Sequence, residues 1–141
     1  MRLFIDASVA LAAAGQRTGA SRAVFDAAPA MGWVLQASLY VLREITANLH
    51  RLPPLAAEDW PGLAQRLLIV RDLTSHEYPV VFSLGKDRPV LFTAAGWADV
   101  LLTLDRRHFA QFFQSGFYSV RVLPPGEFLA AERQAGRFSL E

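Results

Sequence analysis

Short apolar runs, each the length of a single buried strand, recur along this chain and alternate with stretches that carry helical spacing or helix punctuation. Arg2 to Asp6 is the first run and ends at an acid. The Ala-rich segment Ala7 to Ala14 follows, stopped by Gly15 as a helix with a glycine beyond its end would be. Ser21 to Ala28 reads as a second helix, closed by Pro29. Trp33-Val34-Leu35 is the second strand. Ser38 is placed to cap a helix that runs to about His50, on which Leu39, Leu42, Ile45 and Leu49 recur at helical spacing. Pro53-Pro54 breaks the chain before a helix from Ala57 to Leu68, and Ile69 to Leu73 reads as a strand. Further on, Pro89 to Gly96 reads as a helix, Val100 to Thr103 as a strand and Asp105 to Phe113 as a helix. Tyr118 to Leu123 is the last strand and Glu127 to Gln134 the terminal helix.

Strands alternating with helices in this way form a parallel sheet covered on both faces. The expected fold is therefore α/β: a three-layer α/β/α sandwich around a central, mostly parallel sheet of about four to five strands, in a single domain over residues 1–141. With 52% hydrophobic and 19% charged residues, the chain supplies a sizeable core and is too apolar to be a disordered tail. Its longest uncharged stretch, Ala27 to Leu42, is interrupted by Pro29, Gly32 and Gln36 and is shorter than the ~20 apolar residues that span a bilayer. Asp6 stands where a signal peptide would continue its apolar region, so the expected location is cytoplasmic, with no membrane partner. Cysteine is absent, which removes disulfides, zinc–thiolate sites and thiol nucleophiles together and leaves oxygen or imidazole to hold any metal. A net charge of +1 argues against holding nucleic acid by bulk electrostatics.

In parallel α/β sheets ligands bind beyond the carboxyl ends of the strands, and acids stand there. Asp6 ends the first strand, and Asp105 follows the strand Val100 to Thr103 by two residues. Asp87 opens the helix before that strand, and Glu44 lies at the edge of an apolar helical stripe beside Val41, Ile45 and Asn48. Each has an ordinary alternative: Asp87 and Asp105 suit helix N-caps, and Glu44 suits a solvated helix surface. Asp6 is hardest to explain so, because an acid abutting Leu3-Phe4-Ile5 is costly unless compensated. Four converging carboxylates call for a hard divalent cation, and Mg²⁺ or Mn²⁺ prefers oxygen ligands with several retained waters.

These segments resemble the PIN domain nucleases. Phe4-Ile5-Asp6-Ala7-Ser8 looks like the family's opening motif, and Glu44 stands where the family carries a helical glutamate. Lys86-Asp87-Arg88-Pro89-Val90-Leu91 is similar to the segment supplying its third acid. Gly96-Trp97-Ala98-Asp99-Val100-Leu101-Leu102-Thr103-Leu104-Asp105 resembles its most specific block, with Trp97 added after the glycine and Leu104 in place of a small or polar residue. The resemblance covers residue 1 to about residue 123.

It implies a Mg²⁺- or Mn²⁺-dependent endoribonuclease in which Asp6, Glu44, Asp87 and Asp105 are the catalytic and metal-binding acids. Thr103 and Ser8 would support those acids by hydrogen bonds, and Arg106 and Arg107 would grip the RNA. His108 reads as a packing or surface residue, and Asp99 as the holder of the turn before its strand. A small domain of this kind is similar to the toxin of a prokaryotic toxin–antitoxin pair, which implies RNA as substrate, an antitoxin protein as partner and a homodimer. No G-x-G-x-x-G follows the first strand and no G-x-x-x-x-G-K-[ST] occurs, so a nucleotide-binding module is rejected. A haloacid-dehalogenase-like phosphatase would want an aspartate at Ser8. The remaining rival is a PIN-fold RNA-binding or interaction protein that cleaves little or nothing.

Overall fold

Leu3, Phe4 and Ile5 are fully buried, and a strand covered on both faces belongs in the middle of a sheet. In the computed structural model, which describes residues 1–73 and 88–139, β1 (Arg2–Ile5) takes that place. It pairs in parallel with β2 (Val34–Ser38) on one side and β4 (Val100–Leu102) on the other. β3 (Leu67–Val70) and β5 (Arg121–Leu123) extend this to five parallel strands in the order β3-β2-β1-β4-β5. Helices flank the sheet, giving the expected α/β sandwich. The chain steps outward from β1 to β2 to β3 and then returns past β1 to lay down β4. The order reverses at β1 and β4, and the carboxyl ends of those strands are where such sheets open a crevice.

The sheet is flanked by α1 (Ala7–Gly15), α2 (Ala20–Met31), α3 (Leu39–Asn48), α4 (Pro54–Ala64) and α5 (Arg88–Trp97). Two short turns, α6 (Arg106–Phe109) and α7 (Phe112–Ser115), and the final helix α8 (Pro125–Gln134) follow. Val9, Ala10, Ala13 and Ala14 of α1 are fully buried, and their small side chains let α2, α3 and α4 pack closely against it. Among the described residues no helix is long and apolar enough to cross a membrane.

Several boundaries differ from the expectation. α2 runs through Pro29 to Met31 and ends at Gly32, whose left-handed φ of 70° no other residue type adopts so cheaply. Pro29 has no N–H for the Phe25 carbonyl, and Arg66 replaces it by donating from Nη1 at 2.9 Å. β2 begins at Val34, not Trp33, because Val34 stands in register with Arg2; Trp33 instead packs edge-on against Phe128. α4 starts early, at Pro54, where a proline in the first turn loses no helical bond. It also ends early, so β3 begins at Leu67, paired with Leu35. The helix expected over Asp105 to Phe113 is two separate turns. The last strand is shortened to Arg121–Leu123, because Phe117 and Val120 close a tight turn that holds Tyr118 at φ 54°.

Candidate active site at the carboxyl edge of the sheet

Asp6 leaves β1 at the position before α1, yet its side chain makes no cap bond to that helix. Its carboxylate turns toward β4. There Oδ2 accepts hydrogen bonds from Thr103 Oγ1 and from Ser8 Oγ, each at 2.8 Å. Both hydroxyls are committed to this direction by the backbone. The Asp105 amide donates to Thr103 Oγ1 and the Leu104 amide to Ser8 Oγ, both at 3.1 Å. The loop after β4 thus occupies a lone pair of each hydroxyl, and both hydroxyls donate to one aspartate oxygen. Burial pushes the Asp6 carboxyl above the usual carboxylate range; the Thr103, Ser8 and Ala7 hydrogen bonds oppose that rise, and the negative charge of Asp105 adds to it.

Asp105 is the N-cap of α6. Its Oδ1 accepts from the His108 amide at 3.1 Å, and its Oδ2 lies 2.7 Å from His108 Nδ1. Burial is the largest influence on this carboxyl and raises it, but the His108 ring, amide and charge together with the Arg107 amide outweigh burial and leave it below the ordinary range.

Glu44 enters from α3, and Tyr40 and Asn48 flank it one helical turn away on either side. That helix is anchored at its start by two side chains: Ser38 accepts from the Val41 amide and Asp72 Oδ2 from the Tyr40 amide. Asn48 Nδ2 donates to the Glu44 carbonyl at 2.8 Å. Asp6, Ser8, Glu44, Asn48, Asp105 and His108 line one cleft of about 170 Å³, walled further by Tyr40, Leu11 and Val90. No family model, curated protein or solved structure matches this chain. The site is therefore characterised by its own geometry.

Of the acids singled out in the sequence, Asp6, Glu44 and Asp105 share this cleft, while Asp87 lies outside the described residues. Arg106 and Arg107 are not part of its lining. Arg106 reaches Glu127 of α8 at 3.6 Å and lies over the Phe113 ring, and Arg107 is exposed. Asp99 holds the start of β1 through the Arg2 amide and guanidinium. His108, read in the sequence as a packing or surface residue, instead lines the cleft against Asp105. Its i+3 spacing from Asp105 in Asp105-Arg106-Arg107-His108 is the signal that an N-cap aspartate and this ring would meet.

The donor chemistry fits Mg²⁺ or Mn²⁺. Oxygen ligands gather in the cleft, and a carboxylate offers about four lone-pair directions. Asp105 uses two of these on His108 and one on the Arg107 amide, and Asp6 uses two on Thr103 and Ser8 and one on the Ala7 amide. Among the described residues no three of Asp, Glu and His close together into a ready-made metal cluster. A hydrated Mg²⁺ needs only one or two direct carboxylates, because it keeps several waters.

Proposed function

We propose that the chain is a Mg²⁺- or Mn²⁺-dependent endoribonuclease of the PIN domain family that hydrolyses RNA phosphodiester bonds in this cleft. The observation that carries the reading is that Asp6, Glu44 and Asp105, from three distant segments, line one cleft beside the point where strand order reverses. When bound, the cation would acidify a coordinated water and neutralise charge growing on the phosphate. Asp6, oriented by Thr103 and Ser8, and Asp105 would be the direct ligands, with Glu44 acting through water and Asp87 as the fourth acid. A role as the toxin of a cytoplasmic toxin–antitoxin pair, homodimeric and held by an antitoxin, is carried by the sequence resemblance alone.

A second reading is an RNA-binding protein of the same fold that cleaves little or nothing, kept open by Leu104 in place of a small or polar residue beside Asp105. Incubating single-stranded RNA with the parent, Asp6→Asn and Asp105→Asn, each with Mn²⁺ or with chelator, separates the readings. The nuclease reading expects cleavage by the parent with Mn²⁺ only. Cleavage that survives chelation or either substitution overturns it, and RNA binding without cleavage selects the second.

A further inference from the structure

We infer that His108 is a positioning residue for the Asp105 carboxylate, fixing the direction in which that carboxylate presents its remaining lone pairs to a divalent cation. The inference rests on the metal-dependent reading above. Capping the single turn α6 requires one acceptor, and the bond from the His108 amide to Oδ1 already meets that need. The contact of Nδ1 with Oδ2, at 2.7 Å, is shorter than the amide bond and is superfluous for the cap. With both oxygens engaged by His108, the carboxylate is held against turning about its terminal torsion, and its lone-pair capacity beyond the His108 and Arg107 bonds points in a fixed direction. The ring itself lines the cleft with Asp6 and Glu44 rather than packing in the core. Contacts that orient a metal's ligands usually govern affinity by about 10–100-fold.

The test is a calorimetric titration of the full chain with Mn²⁺ alone, for the parent, His108→Ala, His108→Asn and His108→Gln, with melts in chelator to check folding. Asparagine places its amide nitrogen at the same distance along the side chain as Nδ1, whereas glutamine places it one bond further out. The expected result is Mn²⁺ binding about 10–100-fold weaker in His108→Ala and His108→Gln, with most of the loss recovered in His108→Asn. If the alanine variant does not fold, the asparagine–glutamine pair decides by the same criterion. Alanine or glutamine variants that bind as tightly as the parent, or more tightly, overturn the inference, as does an asparagine variant no better than glutamine. A parent that binds no Mn²⁺ overturns the metal-dependent reading itself, and this inference with it.

Discussion

Asp6 is 6% exposed and receives both of its hydroxyl hydrogen bonds on one oxygen. Burial holds its carboxyl above the usual range despite those donors, so the folded chain binds this proton more tightly than the unfolded chain does. The stability contributed is complete below the unfolded carboxylate value, and is lost as pH rises through the higher folded value. Asp6→Asn keeps an acceptor for Thr103 and Ser8 and removes the charge. In chelator at neutral pH it should melt above the parent, and the two curves should converge toward pH 3; a neutral-pH midpoint at or below the parent's would contradict the charge argument. Thr103→Val acts oppositely. It strips a buried donor from Asp6 and an acceptor from the Asp105 amide, so denaturant unfolding should show a loss of about 1–3 kcal/mol.

At the scale of elements, α2 tolerates a proline because α4 supplies what the proline lacks. Arg66, just past α4, donates to the Phe25 carbonyl that Pro29 leaves open. Arg66→Ala should cost about 1 kcal/mol, whereas in a Pro29→Ala background, where the helix makes its own bond, that cost should largely vanish. Additive losses in the double-mutant cycle would show that Arg66 acts elsewhere. The turn before β5 has a stricter requirement. Gly116 has φ 70°, and a Cβ built on it would stand 2.7 Å from the Val120 carbonyl oxygen. Gly116→Ala should therefore destabilise by about 1–3 kcal/mol in the same assay. That turn explains why a strand drawn from Tyr118 by its apolar residues starts only at Arg121. Local apolarity says nothing about where a backbone must reverse.

For the molecule as a whole, acid response combines groups of opposite sign. Hydrogen bonds from Arg17 and Arg22 pull Asp59 down to about 2, and the Arg137 side chain pulls Glu132 down. Both contribute stability above the unfolded carboxylate range and lose it as pH falls toward their folded values, whereas Asp6 loses its contribution as pH rises. Chelated parent protein should consequently be most stable in mildly acid solution, a maximum that Asp6→Asn flattens on its neutral side. Saturating Mn²⁺ should restore the neutral side, by about 2.7 kcal/mol at a hundredfold excess over its Kd. With a net charge of +1, the RNA binding proposed above would have to rest on a few arginines. Two or three phosphate contacts give a log–log salt slope of about −1.5 to −2 on single strands. Replacing Arg106 and Arg107 together should flatten that slope; because Arg106 already engages Glu127, an unchanged slope would move RNA contact to other cations.

Alternating apolar strands and helices were enough to determine an α/β chain with a parallel sheet, since period and punctuation are local properties of neighbouring residues. The same locality marked Asp6 as an acid in need of compensation, whereas that Thr103 reaches Asp6 from 97 residues away was shown only by the structure. Tertiary structure alone decided the rest. Asp6, Glu44 and Asp105 share a cleft only because β4 returns to pair with β1, and that strand order depends on packing among residues far apart in sequence. Likewise, Arg106 turns to Glu127 while His108, two positions on, faces the cleft. Neighbours on a one-turn helix point in different directions, and only the spacing from Asp105 marks which of Arg106, Arg107 and His108 turns to it.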